Sequence, residues 1–295
     1  MASAGFDVIL QTQIGPIVKW HYASFALTRL EFDSRWVHNS EFIMISKSTD
    51  FLVVTLLLIA GAAVWLLFRL PPLFGGAVYM LPASAYLLYR GPRGIYPIIW
   101  ASTVFGFIFG FGFDFFENIN KAWEVQNLIL PSFFAVQPID NILGYGMMTL
   151  LMVLFYRHFF ETTPKRVSHR IYPTAVISLL VCVVLVTVYL MYPSALDVPY
   201  PYVVGGLLPV LAVILYGFRH PMAIPEIACV SGYFFFVWLI AEYVAVATEG
   251  WIYPGQYIGF IKLGAVTFPV EELLFWMVWY GATTVVFYKA FIDHE

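Results

Sequence analysis

Eight stretches of this chain are almost entirely apolar, and each is about 20 residues long. Such a stretch is long enough for an α-helix to cross a bilayer, whereas barrel strands are shorter and alternate polar with apolar residues. We therefore predict an all-α membrane protein with about eight transmembrane helices. The predicted spans are residues 51–70, 73–89, 95–116, 138–160, 171–192, 201–218, 224–246 and 269–291.

Residues 1–50 mix polar with aromatic side chains and lack the compact apolar run of a secretory signal peptide. We expect a cytoplasmic or interfacial extension there. If the loops alternate between two sides, twelve basic residues lie on the side of both termini and three on the other. Because cytoplasmic loops are rich in Lys and Arg, both termini are predicted to be cytoplasmic. The twelve are Lys19, Arg29, Arg35, Lys47, Arg90, Arg93, Arg157, Lys165, Arg166, Arg170, Arg219 and Lys289, and the three are Arg69, Lys121 and Lys262.

The first four predicted spans resemble the last four, which indicates an internal repeat of residues 51–161 and 171–291. From Pro82 onward, matching positions stay between 127 and 132 residues apart. Four spans in each repeat give both repeats one orientation, so we expect them to pack about a pseudo-two-fold axis along the membrane normal. Matching groups include Gly75-Gly76 with Gly205-Gly206, Pro82 with Pro209, Pro97 with Pro225, Asp114 and Trp123 with Glu242 and Trp251, Pro138-Ile139-Asp140-Asn141 with Pro269-Val270-Glu271-Glu272, and Phe155-Tyr156-Arg157 with Phe287-Tyr288-Lys289.

The composition is 61% hydrophobic, 19% aromatic and 11% charged, far from the balance of a soluble domain. Both cysteines, Cys182 and Cys229, lie in apolar runs and are expected to be small core side chains. There is no glycine-rich nucleotide motif, no histidine in metal-ligand spacing and no nucleic-acid pattern. We expect no cofactor, no metal and no nucleic-acid partner; membrane lipid is an expected partner.

The adjacent carboxylates Glu271 and Glu272, two residues after Pro269, open the last predicted span. A carboxylate is costly in hydrocarbon, so an intramembrane pair is by default a candidate functional site. The alternative is that they are first-turn residues that complement the helix dipole. A dipole needs only one acid, which favours the functional interpretation for the pair.

The aromatic residues around this pair suggest a chemistry. On an α-helix Glu271 shares a face with Phe275 and Trp279, whereas Glu272 shares a face with Trp276 and Tyr280. A buried carboxylic acid donates a proton, aromatic faces stabilise the resulting cation, and a second carboxylate takes a proton back.

The other acids near apolar spans leave two interpretations open. Asp114, Glu242 and Asp140 are further candidate catalytic residues, although Asp140 also suits a helix start beside Asn141. Trp123 and Trp251 are candidate substrate contacts or plain interface residues. Three remaining acids are expected to have other roles: Glu226 in a helix cap, Glu117 and Glu249 in solvent or at the interface.

The stretch Glu242 to Phe275 resembles the membrane-integral lycopene cyclase domain, found in paired bacterial subunits, fused archaeal proteins and fungal bifunctional enzymes. The shared pattern is an acid with Trp nine positions later (Glu242, Trp251), then Pro-x-Glu-Glu-x-x-Phe opening a span (Pro269 to Phe275). The resemblance extends over residues 51–291 through the repeat, specifically in the second half and weakly in the first.

The resemblance implies proton-initiated, non-redox cyclisation of the ψ-ends of lycopene or a related carotenoid. Glu271 and Glu272 would be the proton donor and its partner, with Glu242 and Asp114 as modulators or the final base. Candidate cation-stabilising and substrate-contacting residues are Phe275, Trp276, Trp279, Tyr280, Trp251, Trp123 and Phe268.

Two departures from the pattern keep the substrate open: Asp140-Asn141 where the first half would have two acids, and the unmatched residues 1–50. The alternatives are a cyclase for a shorter polyprenyl compound, a proton-coupled transporter, and a partner subunit of a hetero-oligomeric enzyme. Homo-oligomers are equally compatible with the sequence.

Overall fold

The computed structural model describes residues 46–91, 94–161 and 166–291. By its internal contacts the chain divides into two units, Met1–Phe51 and Leu52–Glu295. Of the first unit only residues 46–51 are described, so the predicted extension 1–50 lies almost entirely outside the described residues.

The described residues are mostly helical, and they confirm a helical membrane class of protein. The helices are α1 (Lys47–Phe68), α2 (Pro72–Arg90), α3 (Tyr96–Ile119), α4 (Ile139–Phe160), α5 (Ile171–Met191), α6 (Pro201–Arg219), α7 (Ile224–Ala247) and α8, made of the π-helical Glu272–Met277 and the α-helical Trp279–Ala290. Helix α3 contains a π-helical segment, Ser102–Phe109.

Six of these helices, α1 and α3 to α7, are long and apolar enough to cross a membrane. They coincide with six of the eight predicted spans. Helices α2 and α8 lie at the other two, 73–89 and 269–291, but are not among the six. That these two also cross the membrane stays a prediction.

Helices α2 and α6 have the same proline pattern. Each has a proline in its first turn, Pro72 and Pro201, where the missing N–H would have no helical acceptor. Each also has a proline inside the helix, Pro82 and Pro209, which removes one helical hydrogen bond.

Helix α3 ends in a Schellman motif. Lys121 has the left-handed φ of 52°, its N–H bonds the Asn118 carbonyl at 3.0 Å, and the Ala122 N–H bonds the Glu117 carbonyl at 2.9 Å. The chain therefore turns back sharply toward the end of the helix.

Helix α7 ends in the same motif. Glu249 has a φ of 57°, its N–H bonds the Val246 carbonyl at 3.1 Å, and the Gly250 N–H bonds the Ala245 carbonyl at 2.7 Å. The chain after each helix therefore turns back toward an acid near the end of that helix: Asp114 in α3 and Glu242 in α7.

Three two-stranded sheets lie in the α3–α4 and α7–α8 connections. The hairpin β5–β6 turns at Gly264, whose φ of 61° suits the first central position of a type II′ turn. The strands β1 and β4 join the two connections to each other, with Glu124 opposite Ile252 and Val125 opposite Trp251. The strands are β1 (Glu124–Val125), β2 (Ser132–Phe133), β3 (Gln137–Pro138), β4 (Trp251–Ile252), β5 (Phe260–Leu263) and β6 (Val266–Pro269), paired β1–β4, β2–β3 and β5–β6.

Helix α4 is at the centre of the packing, and α5 is at its periphery. In the most apolar 18-residue stretch of α4, 61% of the residues are buried, whereas in that of α5 only 6% are. The exposed residues of α5 are large and apolar, as expected of a helix that faces lipid.

Two ion pairs lie at the end of the helices that is remote from the strands. Lys289 Nζ is 2.7 Å from Glu226 Oε2, and Arg157 Nε is 3.0 Å from Glu161 Oε2. The Tyr156 hydroxyl donates to Glu226 at 2.9 Å. The expected cap role of Glu226 is therefore replaced by a polar cluster between α4, α7 and α8.

Candidate active site

A cavity of about 100 Å³ lies near the end of the helices that carries the strands. Its wall contains three carboxyl side chains, those of Asp140, Glu242 and Glu272. The rest of the wall is mainly apolar or aromatic. The aromatic residues are Trp65, Tyr79, Phe113, Trp123, Tyr145, Tyr202, Trp238, Trp251, Tyr253 and Trp276.

Glu242 is buried near the end of α7, and two side chains of the following loop hold it. The Trp251 Nε1–H lies 3.2 Å from both carboxylate oxygens, and the Tyr253 hydroxyl donates to Oε1 at 2.5 Å. The nine-residue spacing therefore has a physical reason, because the Schellman turn at Glu249 brings Trp251 back over the acid. Burial and then the charge of Glu242 raise the pKa of Tyr253, so this phenol keeps the proton that it donates.

Glu272 is also buried, in the first turn of α8. Tyr202 of α6 lines the same cavity, and Glu272 Oε2 has no hydrogen-bond partner among the described residues. Four residues further on, Trp276 lines the same cavity and stacks on Tyr280 with ring centroids 4.2 Å apart. Of the predicted face, Glu272 and Trp276 therefore line this cavity, whereas Tyr280 lines a second, smaller one.

Glu271 has different surroundings, although it is the next residue. It is fully buried, does not line the cavity, and accepts a hydrogen bond from the backbone N–H of Ile258. Its helix-face neighbours also lie elsewhere: Phe275 borders a second, smaller cavity, and Trp279 borders an open apolar groove on α6 and α7. The two adjacent carboxylates thus have separate roles, and Glu271 fastens the α7–α8 loop.

Asp140 fastens the other loop in the same way. Its two oxygens accept the backbone N–H groups of Ile129 and Leu130 at 2.8 and 2.9 Å. The side chain reaches the cavity wall, but both of its oxygens are engaged. Phe268, another predicted contact, is fully buried in β6 and does not line the cavity.

Asp114 is surrounded by donors. Gln137 Nε2 donates to it at 2.5 Å, Asn141 Nδ2 at 2.9 Å and the Tyr145 hydroxyl at 3.4 Å. Asp114 does not line the cavity. Trp123 does, and its ring meets that of Trp251 edge to face at 5.7 Å.

Several site residues were not predicted. Glu117, expected in solvent, is fully buried, so that prediction is wrong, and neither of its oxygens has a hydrogen-bond partner among the described residues. Its position three residues after Asp114, on the same helix face, was the available signal. Tyr253 was predictable, because it is two residues after Trp251 and alternate residues of an extended strand face the same side. Tyr202 had no such signal, because it comes from a different helix.

The arrangement is suited to moving a proton into and out of an apolar, aromatic-walled space. Within residues 46–91, 94–161 and 166–291, no group of three or more His, Cys, Asp or Glu is placed to hold a metal ion. The fold and site define a helical membrane protein with an internal acidic cavity. Comparison of the chain with protein-family models, with curated proteins and with solved structures finds no match in any of the three.

Proposed function

We propose that this protein is a membrane-embedded isoprenoid cyclase that acts by proton-initiated, non-redox chemistry, with lycopene or a related carotenoid as substrate. The observation that carries the proposal is the pair of buried carboxyl groups, Glu272 and Glu242, on one aromatic-walled cavity. The motif resemblance of residues 242–275 supports the choice of substrate class.

The proposal includes eight membrane spans in two parallel repeats with both termini in the cytoplasm. The identical ends of α3 and α7, each followed by a tryptophan nine residues after an acid of its own helix, support the repeat. The uneven distribution of basic residues over the loops supports the orientation.

Contacts between matching residues support a pseudo-two-fold arrangement. Residues beside a two-fold axis meet their own counterparts. Three pairs in the proposed register do so: Glu124 lies opposite Ile252, the rings of Trp123 and Trp251 are 5.7 Å apart, and those of Tyr156 and Tyr288 are 5.8 Å apart. These contacts run from the strand end of the helices to the opposite end.

In the proposed reaction Glu272 gives its proton to the terminal alkene of the substrate, which leaves a tertiary cation. The next alkene attacks this cation, so one carbon–carbon bond forms and the charge moves into the new ring. The faces of Trp276, Trp123 and Trp238 stabilise this charge without trapping it as a nucleophile would.

Glu242 completes the reaction as the base. It removes a proton from a carbon beside the ring cation, and the electron pair of that C–H bond becomes the ring alkene. Trp251 and Tyr253 hold the carboxylate in position for this step. One proton leaves Glu272 and one reaches Glu242, so transfer between the two carboxyl groups restores the enzyme, and the product has the formula of the substrate.

The first experiment is expression in a host that accumulates lycopene, with the pigments resolved by chromatography and mass. We expect a product of unchanged mass with cyclic end groups, and a loss of about 100- to 10,000-fold in activity for Glu272→Gln, as for removal of a general acid. Unchanged lycopene with correctly inserted wild-type protein would refute the substrate. Near-normal activity of Glu272→Gln would refute the donor.

A proton-coupled transporter is the second candidate, because buried charged groups also occur at the remote end of the helices. Arg157 and Lys289 are each paired with an acid there, and Lys289 also bonds Tyr156 of the other proposed repeat. Such a connection opposes the rocking of one repeat against the other that transport requires. Proton flux in liposomes without any change of pigment would favour this candidate.

A further inference from the structure

Gly144, in the second turn of α4, has no packing reason to be glycine. A Cβ built on Gly144 meets no atom within 4 Å, whereas one on Gly146 would lie 2.4 Å from the ring of Phe107. Glycine inside a helix is destabilising relative to alanine, so a helical glycine normally reflects a close neighbour. Gly144 instead borders the cavity that contains Glu242 and Glu272.

The counterpart of Gly144 in the proposed repeat is Phe275, since the offset from Pro138 to Pro269 is 131 and 144 + 131 is 275. Phe275 lines a second cavity, which also includes Gly206. A Cβ on Gly206 would lie only 2.5 Å from Phe275 Cγ, so the phenylalanine ring occupies the space beside this glycine. The counterpart of Gly206 is Gly76, which lines the first cavity.

The two cavities are therefore lined by matching residues but differ in size. Glycine at 144 leaves the first one with about 100 Å³, whereas the ring of Phe275 leaves the second with about 30 Å³. They are neighbours, because Phe113, Tyr145 and Tyr202 border both. Among the described residues, the wall of the smaller cavity contains no acid, whereas that of the larger one contains Glu242 and Glu272.

We infer that Gly144 is a specificity-determining residue, whose missing side chain makes room for the ring-forming end of the isoprenoid. Phe275 closes the equivalent space, so the chain has one reacting cavity and not two. This inference rests on the proposed function, because it takes an isoprenoid end group as the occupant.

The test is a graded series, Gly144→Ala, Gly144→Leu and Gly144→Phe, purified from carotenoid-containing membranes. Bound carotenoid per protein should fall with side-chain size, at least tenfold for Gly144→Phe, while the melting temperature of Gly144→Ala stays level or rises. Gly232→Phe is the matched control: its Cβ also meets no atom within 4 Å, but it borders the open groove on α7 and should keep its pigment. Carotenoid retention by Gly144→Phe within threefold of wild type would overturn the inference, and so would a lowered melting temperature of Gly144→Ala.

Crystals under xenon pressure separate this inference from the substrate assignment, because xenon enters apolar cavities of any protein. We expect a xenon site beside Gly144, its loss in Gly144→Phe, and a new site beside Gly206 in Phe275→Ala. If wild-type protein binds no carotenoid but shows this xenon pattern, the substrate is wrong and the cavity assignment stands. Equal xenon occupancy beside Gly144 and Gly206 in wild-type protein would overturn the assignment.

Discussion

The two halves of the chain treat a buried acid in opposite ways. In the first half Asn141 donates directly to Asp114 at 2.9 Å, and further donors complete its hydrogen bonding. In the second half the residue that matches Asn141 is another acid, Glu272, which cannot satisfy Glu242 in this way. An amide beside a carboxylate makes a stable polar pair, whereas two carboxyl groups on one cavity keep a proton to exchange. A single difference, amide against acid, thus distinguishes the site of the first half from the proposed reactive site of the second.

The test with the largest expected effect replaces each buried acid, Glu242 in the second half and Asp114 in the first, by its amide. We expect Glu242→Gln to lose about 100- to 10,000-fold in cyclisation rate, as when a general base is removed. Asp114→Asn should lose less than about tenfold, since Asp114 does not line the cavity. Equal losses, measured as product formed per amount of inserted protein, would show that the halves do not differ in this way.

A smaller difference is expected between the two tryptophans that follow these acids, Trp123 and Trp251. Trp251→Phe removes a donor to the proposed base, and a hydrogen bond to a charged group contributes about 1.5–3 kcal/mol. We therefore expect a fall of about 10- to 100-fold in rate. Trp123→Phe should act mainly on stability, and a rate loss equal to that of Trp251→Phe would contradict the assignment.

The loop-fastening acids should behave alike in both halves. Asp140→Asn and Glu271→Gln each weaken the acceptor of partly buried backbone hydrogen bonds, two at Asp140 and one at Glu271, and we expect each to lower the free energy of unfolding by about 1–3 kcal/mol. Denaturation in detergent measures this, with Glu249→Gln as a control in the nearby loop. A rate loss in Glu271→Gln as large as that in Glu272→Gln, without loss of stability, would instead make Glu271 the donor.

The smallest effect is a pH dependence of stability. Burial raises the pKa of Tyr253 in the folded protein above its ordinary value of 10.0, so folded protein holds this proton more tightly than unfolded protein. Its contribution to stability is therefore full below pH 10 and is lost as the pH rises above 10. Melting curves should fall more steeply above pH 10 for wild type than for Tyr253→Phe; parallel curves would contradict the assignment.

The features that follow from local periodicity were predictable. The helices α1 and α3 to α7 lie where apolar runs predict them, and the shared face of Glu272 and Trp276 follows from helical spacing. The roles of neighbouring acids were not predictable, because they depend on donors distant in sequence, such as the Asn141 amide beside Asp114. The burial of Glu117 had a local signal in its spacing from Asp114, but its neighbour Gly205 belongs to another helix.

The π-helical start of α8 has a consequence for the ancestry of the two halves. In this segment the Val278 N–H bonds the carbonyl five residues back, on Leu273, so the helix holds one residue more than an α-helical turn would. The offset between matching positions is 131 at Pro138 and Pro269 and 132 at Phe155 and Phe287, an increase of one residue across the same segment. In the proposed repeat, a single-codon insertion in this segment would account for both facts, with the extra residue inside a helix rather than in a loop. Deleting one residue from Leu273–Met277 would undo that event and turn the rest of α8 by about 100° relative to Glu272.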